Sequence, residues 1–393
     1  MHTRATLIWL AALLMLTSVF AYSPLDQWTQ RSTAKINTVR FVGGMFVGVG
    51  PNGVITTSSN GVNWVTRATN SFVDEYYGVA YNGSSFLTVG NNRLLGSLDA
   101  ITWTNVVLTN ELANFRDVTT DGVRFYIVAA ADFNPGTKPS VLISPMPPTT
   151  NWQSIRLTNA ASCDGFSPPG RASFARITRT PSSYIAVGDI CTGIWTSGNG
   201  TSWAYRSGTA NTEYFQGAAY NGTTALAIGR EGPPYAASSP FSTWTRLSAQ
   251  SDPLFLTLVG DDVSFADNRF AVIDTRNVYE TINGSNWLKH LNAVSGNCRS
   301  ITYGLGTYVA AGLGGIFQSA NIAGTLAVAR PALSGPVEVS INTDSNRSFV
   351  LQVATNDWAW SDLWRSTNSG TNAKYLDWSV TNGTRRFYRT ATP

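Results

Sequence analysis

The sequence predicts an all-β fold: a seven-bladed β-propeller whose last blade is closed by an N-terminal strand, followed by a small C-terminal β-sandwich. Three observations predict it. A pattern of about 40 residues recurs seven times between residues 22 and 325. A tryptophan stands near the end of six copies, and the tryptophan that the seventh copy lacks is found near the N-terminus. After Thr325 the pattern stops, and the last segment has its own alternation of polar and apolar residues.

Residues 1–21 have the features of a secretory signal peptide. One arginine precedes an apolar run over residues 5–20, and the small residues Val19 and Ala21 fit a signal-peptidase site. The run is short for a membrane span, although an uncleaved N-terminal anchor is the alternative. We therefore expect a secreted or cell-surface protein, extracytoplasmic and of bacterial type, whose mature chain begins near Tyr22.

Each copy of the repeat, within a propeller domain predicted at 22–325, has the pattern of four short antiparallel strands. In the best-matched pair, "VAYNGSSFLTVG" (79–90) and "AAYNGTTALAIG" (218–229), two apolar runs flank an Asn-Gly turn. Such turns need positive φ, which Gly and Asn adopt at low cost. Weaker copies begin at residues 39, 118, 177, 263 and 301. Four short strands per repeat are typical of a propeller blade, and no helical periodicity runs through them.

The position of Trp28 predicts how the ring closes. Six repeats end at Trp64, Trp103, Trp152, Trp203, Trp244 and Trp287. Repeat seven has no tryptophan at this place, whereas "WTQR" at Trp28 matches "WVTR" at Trp64. Because an open sheet edge invites aggregation, we expect the N-terminal strand to complete the seventh blade. The alternative is that Trp28 lies in a loose leader and residues 323–330 supply the last outer strand.

A short motif stands between the third and fourth strands of a blade. Its copies are "TSSNGVNW" (57–64), "GSLDAITW" (96–103), "TSGNGTSW" (196–203) and "ETINGSNW" (280–287). The Asp or Asn side chain is expected to cap the turn's backbone, and Gly allows the bend. The Trp is expected to pack between neighbouring blades. The motif is therefore interpreted as structural.

This motif resembles the Asp-box, or bacterial neuraminidase repeat. That repeat occurs in sialidases, in other propeller glycosidases, in sortilin-type receptors and in photosystem II assembly factors. The copies here are degenerate, because the aspartate survives only as Asp99, and Asn60, Asn199 and Asn283 replace it elsewhere. The resemblance implies the architecture rather than an activity.

Residues 326–393 predict a separate β-sandwich module. The segment has four tryptophans, alternating strands and the ending "RRFYRTATP". It resembles C-terminal modules ending in RFYR that follow secreted repeat proteins in some environmental bacteria. Sorting or surface attachment is one role that this resemblance implies, and a passive stabilising appendage is the alternative.

The candidate ligand site lies at one mouth of the central channel. The segments that lead into the first strand of each blade share one face, where propellers usually bind ligands. The aligned positions there include a set that we expect to converge: Tyr77, Arg116, Asp117, Arg176, Asp261, Asp262 and Arg299. Because arginine binds carboxylates in a bidentate manner, the set fits a polar ligand such as an acidic glycan. The alternative is that these charges pair with one another and with water.

These observations favour a non-catalytic binding or scaffolding module that engages a glycan or a protein. Charged residues make up 13% of the chain and the net charge is +4, which does not indicate nucleic-acid binding. A sialidase-like glycoside hydrolase is the alternative, but sialidase propellers normally have six blades and this chain offers few glutamates as acid or base. An extracytoplasmic assembly factor is the second alternative.

No cofactor or metal is expected. His290 is the only histidine after residue 21, so a histidine-based metal site is excluded, and no calcium loop is present. In an exported protein a disulfide between Cys163 and Cys191 is plausible, because both map to one face of blade four. Cys298 maps to the same face, so the pairing stays open.

Overall fold

The computed structural model describes most of the chain after residue 22. The described residues are 23–69, 75–91, 93–108, 114–130, 139–145, 151–157, 173–189, 192–206, 214–230, 232–247, 260–320, 325–329, 336–342, 347–354, 361–368, 372–379 and 387–391. The predicted signal peptide, Cys163 and Cys191 lie outside them, and these predictions stay predictions.

Seven four-stranded antiparallel sheets form the seven blades of a propeller, as predicted. The N-terminal strand is β1 (Trp28–Ser32). Blades one to three are β2 (Thr38–Val42), β3 (Met45–Val49), β4 (Ile55–Ser58), β5 (Val65–Ala68); β6 (Tyr76–Tyr81), β7 (Phe86–Gly90), β8 (Arg93–Ser97), β9 (Thr104–Asn105); and β10 (Asn114–Thr120), β11 (Phe125–Ala130), β12 (Ser140–Ile143), β13 (Gln153–Arg156).

The remaining blades follow in chain order. Blades four to six are β14 (Phe174–Arg179), β15 (Tyr184–Gly188), β16 (Ile194–Ser197), β17 (Ala204–Tyr205); β18 (Phe215–Tyr220), β19 (Thr224–Gly229), β20 (Tyr235–Ser238), β21 (Thr245–Arg246); and β22 (Asp262–Ala266), β23 (Arg269–Ile273), β24 (Val278–Thr281), β25 (Leu288–His290). Blade seven is β26 (Cys298–Gly304), β27 (Thr307–Gly312), β28 (Gly315–Ser319) and, from the N-terminus, β1.

The closure predicted from Trp28 is confirmed. Trp28 pairs with Ser319 and Thr29 with Gln318 in antiparallel register, and the indole Nε1 donates to the Leu25 carbonyl at 2.8 Å. Leu25 is fully buried in the apolar cluster between blades six and seven. The alternative is wrong, because the strand that begins at Thr325 pairs with a later strand instead.

Each interface between neighbouring blades is an apolar cluster that includes one of the repeat tryptophans. Trp103, for example, packs against the cluster that contains Val49 of blade one and Val79 of blade two. Trp64, Trp152, Trp203, Trp244, Trp287 and Trp28 occupy the matching places in the other six clusters. Second strands such as β7 and β15 are wholly buried, whereas fourth strands are mostly exposed. The core is therefore a ring of inter-blade seams.

The motif turns have the predicted geometry. In blade two, Asp99 Oδ1 accepts from the backbone N–H groups of Ile101 and Thr102, both at 2.8 Å. Ala100 there adopts φ of 59°, at the place where the other copies have glycine, and Trp103 Nε1 donates to its carbonyl at 3.2 Å. Blades one, four and six repeat these bonds with Asn60, Asn199 and Asn283. The side-chain cap fixes the bend that aims the tryptophan at the seam.

Two three-stranded antiparallel sheets follow the propeller. One is ordered β29 (Thr325–Ala329), β30 (Val337–Asn342), β33 (Asn372–Asp377), and the other β32 (Ser361–Asn368), β31 (Arg347–Ala354), β34 (Phe387–Ala391). Val339 and Ile341 of the first sheet share an apolar cluster with Leu351 of the second. The domain limits predicted at 22–325 and 326–393 stay predictions. Within the described ranges, no helix is long and apolar enough to span a bilayer.

Candidate functional site

One position in the first strand of every blade forms a ring around the channel axis, here called the ring position. Its seven residues are Thr38, Gly78, Asp117, Arg176, Gly217, Asp262 and Ser300, which pair in register with the same place in the second strands. In blades two, three, four, five and seven a β-bulge directly precedes this residue. A bulge leaves its extra residue unpaired and re-aims the strand.

The bulge separates neighbours that the sequence analysis placed together. Arg116 is the extra, unpaired residue in blade three, whereas Asp117 enters the ladder opposite Val128 and is buried. Tyr77 in blade two and Arg299 in blade seven are extra residues of the same kind. The seven predicted site residues divide into a ring set (Asp117, Arg176, Asp262) and a mouth set of residues that directly precede the ring position (Tyr77, Arg116, Asp261, Arg299).

Asp262 is the centre of the ring set. Its Oδ2 accepts from Arg40 Nη1 at 2.8 Å, from the Ser300 hydroxyl at 2.9 Å and from the Ile301 backbone N–H at 3.2 Å. Arg176 Nε lies 3.7 Å from its Oδ1. Burial opposes ionisation of this carboxyl, but the two guanidinium groups outweigh burial and lower its pKa.

Asp117 occupies the equivalent position in blade three, but its pKa is shifted in the opposite direction. Its Oδ2 accepts from the Ile177 backbone N–H of blade four at 3.0 Å, while its Oδ1 is buried and has no hydrogen-bond partner within the described residues. Burial raises its pKa, and Arg176 and Arg40 offset this only in part. The two ring carboxylates therefore differ in charge preference although they occupy equivalent positions.

Both ring aspartates join adjacent blades. Asp117 accepts from the N–H one residue after the ring position of blade four, and Asp262 accepts from the equivalent N–H, that of Ile301, in blade seven. The blade that precedes each of these aspartates has a glycine at its ring position. A Cβ on Gly78 would lie 2.8 Å from Asp117 Oδ1 and 2.9 Å from its Cα, so only glycine admits this close approach. One edge of each first strand faces the channel, where its backbone groups have no neighbouring strand to bond. These carboxylates accept from some of those backbone N–H groups.

A cavity of about 380 Å³ extends along the axis from this cluster. The first strands of all seven blades line it, with Asp117, Arg176 and Asp262 at one end and Val42, Tyr81, Thr120, Arg179, Tyr220 and Phe265 toward the other. The latter residues lie at the last or last but one position of the first strands, so the cavity lies on the side of the hairpins between first and second strands. The predicted mouth is on the opposite side of the cluster. The volume would hold about a dozen water molecules or a short polar segment.

The mouth set is more dispersed. The Arg116 guanidinium lies 5.0 Å from the centre of the Tyr77 ring. Burial, together with Glu75, raises the pKa of Tyr77 to about 12. Asp261 pairs with Arg230 at 2.7 Å. Arg299 is exposed and forms no ion pair within the described part of the chain.

The structure thus brings together three of the seven predicted residues around the cavity, and their binding role stays a prediction. Sequence reasoning missed Arg40, which supplies the direct ion pair to Asp262. The alternation of side chains in a strand was an available signal, because Arg40 stands two residues after Thr38 and so faces the same side.

The described residues contain no group of three or more His, Cys, Asp and Glu side chains placed to hold a metal ion. Cys298 is buried and has no disulfide partner among the described residues, and burial raises the pKa of its thiol to about 12.

Comparison with known proteins supports the fold alone. No protein-family model matches the chain, and no curated protein is significantly similar in sequence. Among solved structures, YCF48 bound to a D1 peptide is 17% identical with a TM-score of 0.58, covering 76% of this chain and 94% of that one. YCF48 from Cyanidioschyzon merolae is 15% identical with a TM-score of 0.56, covering 75% and 98%. A streptogramin B lyase is 10% identical with a TM-score of 0.60, covering 76% and 99%. The chain is therefore similar in architecture to propellers with different functions.

Proposed function

We propose that this chain is an exported, non-catalytic binding module that takes a polar segment of a partner protein, or of a glycan, into its central channel. The observation that carries the proposal is the cavity of about 380 Å³ on the axis, lined by all seven blades. Clefts where several elements converge, with few charged groups among small side chains, are the usual form of a binding site.

The charges at the end of the cavity support a ligand with both polar and anionic character. Arg40 and Arg176 reach Asp262 from different blades, and Arg176 Nε is buried without a hydrogen-bond partner within the described residues. Arg179 lines the cavity farther along. Buried donors of this kind gain from an acceptor that a ligand brings. That a structural neighbour binds a peptide makes a protein segment the first ligand class to test.

The proposal is tested by blocking the channel. Ser264 lines the cavity, is partly exposed and donates no hydrogen bond within the described residues, so Ser264→Trp fills the channel with little cost to the ring. Thr66→Trp on the exposed fourth strand of blade one is the matched control. A displayed library of random peptides and a glycan array are screened against all three proteins. We expect ligands that bind the native and Thr66→Trp proteins and not Ser264→Trp.

Ligands that bind all three proteins equally would contradict a channel site. The absence of any ligand in both screens would contradict the binding role itself.

A glycoside hydrolase is a second candidate, favoured by one observation. Asp117 and Asp262 line the same cavity, and their environments shift the two pKa values in opposite directions. Such a split is typical of an acid and base pair. Their bonds to backbone N–H groups of the next blades are a structural use that the binding proposal explains equally well. Turnover of sialylated or neutral fluorogenic glycosides that Asp117→Asn abolishes would establish the hydrolase and defeat the binding proposal.

A further inference from the structure

A second polar depression lies away from the channel, between blades four and five. It has a volume of about 370 Å³ and is here called the blade-four groove. Six of its ten lining residues carry a hydroxyl, namely Ser182, Ser183, Thr196, Ser197, Ser202 and Ser239. Arg206 is the charged residue among the ten, and none is acidic. The groove is thus rich in hydrogen-bond donors, with a single positive charge.

The repeat itself orients Arg206. Arg206 directly follows the fourth strand of the blade, and its Nε donates to the hydroxyl of Thr196 in the third strand at 2.7 Å. The equivalent residues make the same contact in blade one, where Arg67 Nε donates to the Thr57 hydroxyl at 2.9 Å. The bond to Thr196 uses only Nε, so the two terminal nitrogens of the guanidinium remain for another partner.

The hydroxyl groups around Arg206 are also available. Ser182, Ser202 and Ser239 form no side-chain hydrogen bond, and Arg206 forms no ion pair, within the residues that the structure describes. Because Thr196 accepts from Arg206, its own hydroxyl hydrogen can point elsewhere. A planar guanidinium beside several hydroxyl donors, with no carboxylate among the described lining residues, suits a ligand that offers several acceptor oxygens.

We propose that the blade-four groove is a binding site for an oxyanion, such as a sulfate, a phosphate or a carboxylate group. The terminal nitrogens of Arg206 bind two of its oxygens, and the hydroxyls of Ser182, Ser202 and Ser239 bind the rest. The anion is either free in solution or the ester group of a larger molecule. This site is independent of the channel, so its test does not depend on the proposed function.

The test uses sulfate, phosphate, methyl phosphate and acetate as probes, each at ionic strength matched with chloride. Binding is measured by calorimetry and by the arginine Nε–H signals in spectra of arginine-labelled protein. We expect saturable binding that shifts the Arg206 signal and is weakened about tenfold or more by Arg206→Gln. Arg67→Gln removes the equivalent contact in blade one and should leave the affinity unchanged. Arg206→Lys keeps the charge without the planar guanidinium and should weaken binding by an intermediate factor.

Binding of methyl phosphate as tightly as phosphate would identify the ester group of a larger molecule as the ligand, and preference for the unesterified anions would identify a free ion. The proposal is overturned if none of the four probes saturates, or if Arg67→Gln and Arg206→Gln reduce affinity equally.

Discussion

At the scale of single residues, aspartates at the same ring position differ in pKa because the groups that contact them from other blades differ. Asp117 and Asp262 occupy the same place in blades three and six, and both accept a backbone N–H of the next blade. Within the described part of the chain, Asp262 is the one of the two that also accepts directly from an arginine. Arg40, two positions after Thr38 in blade one, therefore decides which of the two aspartates is held as a carboxylate.

Neutralising these two aspartates should have unequal effects. Asp262→Asn removes the carboxylate that pairs with Arg40 and Arg176 and should cost about 3 kcal/mol of unfolding free energy. Asp117→Asn keeps an acceptor for the Ile177 N–H and removes a charge that burial disfavours, so we expect a loss below about 1 kcal/mol. Urea unfolding of both variants measures the difference. Equal losses would contradict the larger role that is assigned here to the ion pair of Asp262 with Arg40.

The glycine at the ring position of blade two should tolerate no side chain. Gly78→Ala places a Cβ 2.9 Å from the backbone Cα of Asp117, so we expect a loss of about 2 kcal/mol through overpacking. In Gly217→Ala the new Cβ would lie 3.3 Å from Asp262 Cα, so we expect a smaller loss of unfolding free energy. Gly198→Ala, whose nearest neighbour would lie at 4.0 Å, is the control, expected within about 0.5 kcal/mol of the native protein. A different order of midpoints in urea would contradict this account.

At the scale of elements, one cross-strand contact marks the fourth strand of a blade. Arg67 and Arg206 donate to the third strands of blades one and four, and Arg31 of the N-terminal strand donates to Gln318 of blade seven at 2.9 Å. The strand from the N-terminus thus makes the same interaction as its counterparts encoded within the repeats. It is a structural part of the last blade, and the ring depends on its docking.

Loosening this strand should destabilise the ring. Leu25 precedes the strand and is fully buried between blades six and seven, so Leu25→Ala should cost about 3 kcal/mol. Proteolysis of the N-terminal segment should also become faster, since local opening exposes it. Leu376→Ala, at a half-exposed position in the C-terminal sheets, is the control. An unchanged cleavage rate in Leu25→Ala would indicate that the closure does not rely on this contact.

At the scale of the whole molecule, a charge network joins the N-terminal segment to blade six. The buried His290 ring places Nδ1 2.7 Å from Asp26 and Nε2 3.3 Å from Glu280. Arg269 pairs with Glu280 at 2.6 Å and with Asp267 at 3.1 Å. Burial opposes a charged imidazole, but Glu280 and Asp26 outweigh it and raise the pKa of His290. Burial likewise opposes ionisation of Glu280, yet His290 and Arg269 lower its pKa to about 2.

Ring stability should therefore depend on pH through His290. Because its pKa is higher in the folded state than its unfolded value of about 6.5, the stabilisation is complete below that pH and is lost as pH rises through the folded pKa. The contribution of Glu280 is present above its unfolded pKa and is lost only as pH falls toward about 2. We expect the melting temperature to fall on raising the pH from about 6 to 9 more steeply in the native protein than in His290→Gln. Parallel profiles would exclude His290 as the titrating group.

The sequence by itself determined the seven-bladed architecture and its closure at Trp28, because turns, strand lengths and tryptophan spacing are local features that repeat along the chain. The motif turns were predictable for the same reason, since each is closed by bonds between residues within about five positions of one another. Tertiary structure alone decided which charges meet. Arg40, Arg176 and Asp262 belong to three different blades, and their contact depends on a ring that closes over more than 200 residues of chain. Bulges one residue long separated Arg116 from Asp117, and no local pattern revealed them, because a bulge is a mismatch between two strands rather than a property of either.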